Sequence, residues 1–349
     1  MSSEPSQPPP RRAPQRASLA AVSRHAGVSI ATASRVLNGS SHPVADATRA
    51  KVLAAAEELG YSPSALARAL VTRRSRIIGV IVGDIVDPYF AEITRGIEDE
   101  GAKAGYMTIV CNADRRTELE RDQLSLLADY QAEGVVFAGS GYAGDERGDE
   151  LAEGVARARE RGIKVLSLAM RDFECPRVLV DNRAVAFDIT DYLISLGHRR
   201  IAFIRGPEGL HTSALRLEGF REAMARAELH ADLVQEGDFT YDGGHAAGRR
   251  MLTAAELPDA VIGANDEAAI GALAALRQGG VAVPEAISVA GMTDTRLARF
   301  SDMTTVNVPL YRFGALAARR IIDGESEPGA AETVLPHRLV PRATTRRRQ

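Results

Sequence analysis

VSIATASRVLNG, residues Val28–Gly39, holds more hydroxyl side chains than helix propensity alone favours. On a 3.6-residue period Ala33, Val36 and Leu37 gather on one side, where they can bury. Ile30, Ala31, Ser34, Arg35 and Asn38 recur at i, i+1, i+4, i+5 and i+8 and fall on the other side. That outer face offers short hydrogen-bonding groups, one guanidinium and two small apolar contacts. It suits a surface that displays phosphates and base edges. Ser29 is placed to cap this helix. The segment before it, SLAAVSRHAG, predicts a helix with Leu19, Val22 and Ala26 inward, and Gly27 stands where the chain must turn sharply. The segment after it, ATRAKVLAAAEELGY, predicts a third, amphipathic helix with Val52, Leu53, Ala56 and Leu59 inward, ending at Gly60. Two helices about a glycine turn, the second with a polar outer face, predict a helix-turn-helix over residues 18–61.

Charge separates this head from the rest. Residues 1–76 hold 11 Lys and Arg against 4 Asp and Glu, whereas the remaining chain holds 32 against 42. A basic head on an acidic body indicates a nucleic-acid-binding module joined to something else. The total of 349 residues suggests two or three domains, and 45% hydrophobic content is ample for buried cores. Residues 1–17 read as a disordered Pro/Ser/Arg tail without the apolar core of a secretory signal. No apolar run reaches the ~18 residues a membrane helix needs, so no membrane partner is expected. Cys111 and Cys175 lack metal-ligand spacing and are expected to be reduced, with the cytoplasm as compartment. No cofactor or metal is expected.

SPSALARALVTRR predicts a short helix and linker over residues 62–76, with Pro63 at its first position. At about two turns it is too short to persist alone in water. From Ile77 the pattern becomes apolar strands alternating with amphipathic helices. Candidate strands are IIGVIV, YMTIVCN, GVVFAG, KVLSLA, RVLVD, RIAFIRG, LVQEGDF, AVIGAN and SVAGM. Alternation of this kind predicts parallel sheets with right-handed crossovers. Two series, split near Val180, predict two lobes over residues 77–342, with the chain recrossing near 293–323. Ligands then belong at the carboxyl ends of the strands, between the lobes. Residues 343–349 are expected to form a solvated basic tail.

In order and spacing, VSIATASRVLNG, AAEELGYSPSALARAL, RIIGVIV with DPYF, LGHRRIAFIRG and SVAGM resemble the LacI (lactose/galactose repressor) family. The resemblance runs from Leu19 to Arg342. It implies an all-α helix-turn-helix head and hinge helix joined to a two-lobed α/β body like that of periplasmic binding proteins. It also implies a homodimer, near-palindromic double-stranded operator DNA as partner, and a small effector, carbohydrate or derivative, that switches operator affinity. Carried over by position, Ile30, Ala31 and Arg35 match base-reading sites, and arginine suits guanine because its fork meets O6 and N7 together. Ser29, Thr32, Ser34, Asn38 and Thr48 match phosphate contacts, which fix register without reading sequence. Leu70, flanked by Ala67 and Arg68, matches a hinge leucine that wedges into the minor groove. In the body, Tyr89, Phe90, Ser140, Asp181, Thr212, Arg216, Phe239, Asp266 and Thr293 match effector contacts.

Three positions depart from the family pattern. Ala169 and Thr293 stand where aspartate is common, and Leu210 replaces a polar contact of some members. Asp294 follows Thr293, but successive strand residues face opposite ways, so it is not expected to substitute. A conventional free sugar is therefore a weaker fit; a less polar or anionic effector held by Arg216 remains open, as does none. GSGYAG, Gly139–Gly144, follows a strand and fits a dinucleotide-binding pattern. It sits on the third strand rather than the first, and acidic DERGDE follows it, so the glycines are expected to shape a cleft loop. His198 is expected at a surface turn. The absence of a terminal heptad helix favours a dimer over a tetramer. The leading reading is an effector-switched repressor. An effector-independent or corepressor-dependent regulator, a small-molecule binding protein, or an enzyme on the α/β body are the alternatives.

Overall fold

The computed structural model describes residues 18–38, 42–61, 75–145, 147–324 and 332–348. The proposed hinge contacts Ala67, Arg68 and Leu70 lie outside the described residues. The chain divides into two compact units, residues 1–75 and 76–349.

In the first unit, α1 (Leu19–His25), α2 (Ile30–Leu37) and α3 (Asp46–Glu58) surround a small core of Val22, Ala33, Val36, Val52, Ala55 and Ala56. Ser18 and Ser29 cap α1 and α2 by accepting from the amides of Ala21 and Thr32 at 3.2 and 3.0 Å. Gly27 turns the chain between them at φ +63°. Helix α3 has no side-chain cap at Ala45. It closes with Gly60 at φ +59°, the amides of Gly60 and Tyr61 returning to the carbonyls of Glu57 and Ala56. That pairing satisfies two of the orphan carbonyls at the helix end. Leu53, expected inward, is half-exposed: the buried stripe is Val52, Ala55 and Ala56, and Leu53 lies about 100° away from Val52.

The second unit holds two parallel four-stranded sheets, β2-β1-β3-β4 and β7-β6-β8-β9. The first uses β1 (Ile77–Val82), β2 (Met107–Asn112), β3 (Gly134–Phe137) and β4 (Lys164–Ser167). The second uses β6 (Ile201–Ile204), β7 (Val234–Gln235), β8 (Ala260–Gly263) and β9 (Ser288–Ala290). Strand β1 is buried along its whole length, as a parallel strand covered on both faces by helices must be. In chain order the covering helices are α4 (Pro88–Lys103), α5 (Thr117–Asp129), α6 (Gly148–Glu160), α7 (Asn182–Ser195), α8 (His211–Arg226), α9 (Tyr241–Leu252), α10 (Asp266–Gln278), α11 (Arg296–Phe300) and α12 (Leu310–Asp323).

The nine strands expected from sequence all form, the fifth as β5 (Val178–Val180). Three more do not stand out in the sequence: β10 (Thr305–Asn307), β11 (Thr333–Leu335) and β12 (Arg338–Val340). Each is short and takes its partner from a distant part of the chain, so no local pattern marks it. Strand β11 pairs parallel with β5, and β10 pairs antiparallel with β12. The chain therefore crosses between lobes three times, after β5, after β10 and between β11 and β12. Helix α12 returns to the first lobe and crosses α4 closely, because a Cβ on Gly96 or Gly314 would lie 2.1 or 1.9 Å from a carbonyl of the other helix.

The basic terminus is not a solvated tail. The Val289 amide donates to the Thr344 carbonyl at 2.9 Å, Arg346 N–H to Ser288 Oγ at 3.2 Å, and Arg348 N–H to the Leu196 carbonyl at 2.8 Å. Residues 344–346 thus lie along β9, where the Val289 amide needs a partner once buried, and Arg348 reaches the end of α7. They also cover His198, which is buried with its Nε2 against the Arg346 carbonyl, so His198 is not at the surface turn expected of it.

Candidate functional site

Two places combine exposed or cavity-facing polar chemistry with a rigid scaffold. The first is α2. Ile30, Ala31 and Arg35 are exposed, Ile30 by 55%. Among the described residues Arg35 makes no hydrogen bond or ion pair, so its fork is free to meet a ligand. The other hydroxyl and amide groups are engaged within the helix. Ser29 Oγ meets Thr32 Oγ1 at 2.9 Å, and Asn38 Nδ2 donates to Ser34 Oγ at 3.0 Å. Thr48 sits half-buried near the start of α3. His25 and Glu58 meet at 2.7 Å and tie α1 to α3, holding the frame on which α2 rests.

The second place is a cleft of the body enclosing about 710 Å³, its open mouth included. Residues following eight strands of both sheets line it, as expected at the carboxyl ends of parallel strands. The first lobe supplies Gly83, Asp87, Tyr89, Phe90, Arg115, Ser140 and Ala169. The second supplies Leu210, Thr212, Arg216, Phe239, Asn265, Asp266, Glu267, Thr293 and Thr295. The loop Gly139–Gly144 spans the gap. Ser140 Oγ accepts from the Thr212 amide at 3.2 Å, the Ala143 amide donates to the Gly209 carbonyl, and the His211 amide donates to the Gly141 carbonyl. Its glycines shape this cleft loop rather than opening a helix around a pyrophosphate.

Arg216 is 5% exposed. Its Nε donates to Asn182 Oδ1 at 2.8 Å, its Nη1 donates to the Ala264 carbonyl, and its guanidinium centre lies 5.8 Å from the Phe239 ring centroid. Burial pulls its pKa down, with Tyr89, Asp266 and Asp87 opposing. Tyr89 and Phe90 pack edge to face at 5.0 Å, and burial pushes the Tyr89 phenol up to about 12. Asp87 caps α4 by accepting from the Tyr89 amide at 2.9 Å and pairs with Arg115 at 3.3 Å. Burial raises its pKa, the Tyr89 amide and Arg115 opposing.

Asp266 is already saturated. Its Oδ2 accepts from the Thr295 amide at 2.7 Å, Thr295 Oγ1 at 2.9 Å and Thr293 Oγ1 at 3.1 Å, while Oδ1 accepts from Thr305 Oγ1 at 2.7 Å. Burial nevertheless raises its pKa to about 6, against the pull of those donors. Thr293, at φ +108°, spends its hydroxyl proton on Asp266. Asp294 faces elsewhere, to Arg342 Nη2 at 2.6 Å and Asn307 Nδ2 at 2.9 Å. The cause is not strand alternation: β9 ends at Ala290, and Thr293 and Asp294 form a left-handed turn.

Asp181 does not line the cleft. It is exposed at the N-cap of α7, accepting from the Ala184 amide at 2.9 Å, while its neighbour Asn182 holds Arg216. Sequence reasoning missed Arg115, Glu120 and Glu267. Glu120 also lines the cleft and forms a buried two-pronged ion pair with Arg171, at 2.6 and 2.7 Å. Glu267, in NDEAA, was one residue from a position already singled out.

Two family models match the chain: the bacterial regulatory proteins of the lacI family over residues 18–64, and the periplasmic binding proteins and sugar binding domain of the LacI family over residues 75–340. Catabolite control protein A of Priestia megaterium is 33% identical over 93% of this chain and 98% of its own length. The HTH-type transcriptional repressor CytR of Escherichia coli K12 is 33% identical over 95% of this chain and 96% of its own. Among solved structures, the lac repressor dimer bound to operator and the anti-inducer ONPF superposes with a TM-score of 0.83. It covers 95% of this chain and all of that one, at 26% identity.

Proposed function

This chain belongs to the LacI family of bacterial regulatory proteins, and from that premise we propose that it is a homodimeric repressor whose grip on a near-palindromic operator is switched by a small effector held in the body cleft. It is a DNA-binding transcriptional regulator, as its relatives are. The observation that carries the assignment of base reading is Arg35, exposed on the outer face of α2 and unpaired among the described residues. Ile30 and Ala31 beside it offer apolar contact to base edges, for instance a thymine methyl. Ser29, Thr32, Ser34, Asn38 and Thr48 hold phosphates, and Ala67, Arg68 and Leu70 serve the operator centre. In the cleft, Tyr89, Phe90, Phe239, Thr212 and Arg216 meet the effector, while Asp266 and Thr293 support its wall.

Gel shifts on a palindromic site and its single-base variants test the head. Arg35→Ala is expected to cost about 1–3 kcal/mol at the base it reads and to relax preference there. Thr32→Ala is expected to weaken every sequence alike. Equal loss on all sequences for both variants would remove Arg35 from base reading. Thermal shift tests the cleft, since a ligand at about 100 times its Kd adds ~2.7 kcal/mol of stability.

A further inference from the structure

The cleft's polar groups divide into those already satisfied by the protein and those left over. Asp266 accepts four hydrogen bonds. Asn265 donates to the Phe239 carbonyl at 2.7 Å and accepts from the Ala268 amide at 2.9 Å. Glu120 is matched by Arg171, and Arg115 is shared by Asp84 and Asp87 at 3.3 Å each. What remains, among the described residues, is the Nη2 group of the buried Arg216, the hydroxyls of Tyr89 and Thr212, and the Glu267 carboxyl, none of which has a hydrogen-bond partner.

These leftovers differ in kind. The Arg216 guanidinium only donates and the two hydroxyls can donate as well, and a buried guanidinium with an unused N–H pair in the wall of a cavity awaits an acceptor oxygen. Glu267 is an acceptor in acidic surroundings. The charged groups facing it are Asp84 and Asp87 from the loop before α4, Asp238 from the loop before α9, and Arg115 from the loop after β2. The one cation among them is already divided between two carboxylates. Between the two ends the wall is apolar: Phe90, Leu210, Phe239 and Ala169.

Building on the reading of this cleft as an effector site, we propose that its effector is an amine, with an ammonium group at Glu267 and an acceptor oxygen at Arg216 and Tyr89. An ammonium would supply the counter-charge the acidic end lacks and would desolvate there at lower cost than elsewhere in the cleft. A neutral polyol finds fewer anchors, since Asp266 is spent and Thr293 offers no second carboxylate. Burial first, then Asp87 and Asp84, raise Glu267 to about 7, so binding of an amine at neutral pH expels the fraction of a proton it holds there, whereas binding of its hydroxyl analogue does not. Amino sugars and amino acids share this chemistry, and matched pairs tell them apart.

The experiment is calorimetry on the full chain at pH 7 with glucosamine against glucose, and leucine against its 2-hydroxy acid, with operator binding measured on the same preparation. In at least one pair the amine is expected to bind about ten-fold tighter or more. Its binding is expected to release about half a proton, read from the dependence of heat on buffer ionisation. Glu267→Gln is expected to reduce the preference to about two-fold and to abolish the proton release. The proposal is overturned if no amine binds tighter than its hydroxyl partner, or if the preference survives Glu267→Gln. Intact operator binding beside that result leaves the regulator reading standing. Loss of both operator and ligand binding removes that reading as well.

Discussion

Among the described residues Arg171 and Glu120 form the most enclosed ion pair of the body, and replacing Arg171 with Met tests what it is worth. The side chains are 2% and 6% exposed, and their two contacts are 2.6 and 2.7 Å. Arg171 Nη2 also donates to the Gly139 carbonyl at 2.5 Å, and the guanidinium lies 5.1 and 5.9 Å from the rings of Phe137 and Phe173. Methionine fills much of the same volume between those rings but leaves a buried carboxylate without a cation. Breaking a buried pair from one side costs about 3–5 kcal/mol. Removing both charges in Arg171→Met/Glu120→Met should cost far less, about 1 kcal/mol or under, because desolvation of the pair nearly offsets its attraction. The double-mutant cycle is thus expected to show a coupling of about 2 kcal/mol or more. Urea titration monitored by circular dichroism reads these values from the midpoint of the body transition at constant slope. A loss below about 1 kcal/mol for Arg171→Met, or a double variant that loses the sum of its singles, would refute the reasoning.

Glu267 makes stability pH-dependent: its folded pKa of about 7 exceeds the ordinary 4.5, so the folded state prefers the protonated form. Stability is expected to fall as pH rises from about 4.5 to about 7, and the melting-temperature gap between Glu267→Gln and the parent should widen across that window; a constant gap would count against it. Asp266 titrates in both proteins and cancels in the comparison. Gly244→Ala places a Cβ 2.0 Å from the Ala268 carbonyl in the α9–α10 crossing and is expected to cost about 1–3 kcal/mol. Gly154→Ala, whose nearest contact is 3.6 Å, should be neutral or stabilise by up to about 1 kcal/mol in the same melts. Thr344→Val removes the acceptor that the buried Thr304 amide meets at 2.9 Å and is expected to cost about 1–3 kcal/mol. An unchanged melting temperature would mean that the terminal segment is not structural.

Much of the architecture is legible in the sequence because its signals are local. Ser29, Gly27 and Gly60 act on the residues beside them, and runs such as IIGVIV declare a two-sided buried strand wherever they occur. The strand-helix alternation alone places the cleft at the carboxyl ends of the sheets, and the outer face of α2 follows from its period. Other features depend on residues far apart in the chain. Strands β10, β11 and β12 exist only because their partners return from distant parts of the chain. Glu120 is neutralised by a residue 51 positions away, and Asp266 is saturated by threonines 27 to 39 positions on. Whether a carboxylate in the cleft is free to hold a ligand is decided by such distant donors, so Asp266 and Glu267, adjacent in sequence, end with opposite roles. Asp181 and Asn182 differ in the same way, because the start of α7 turns one toward its own backbone and the other toward Arg216. The sequence determined the alternating strands and helices and where a ligand belongs; tertiary packing added the short strands paired at a distance and decided which polar groups remained available to meet a ligand, since hydrogen-bond capacity is finite and is spent first on the nearest buried partner.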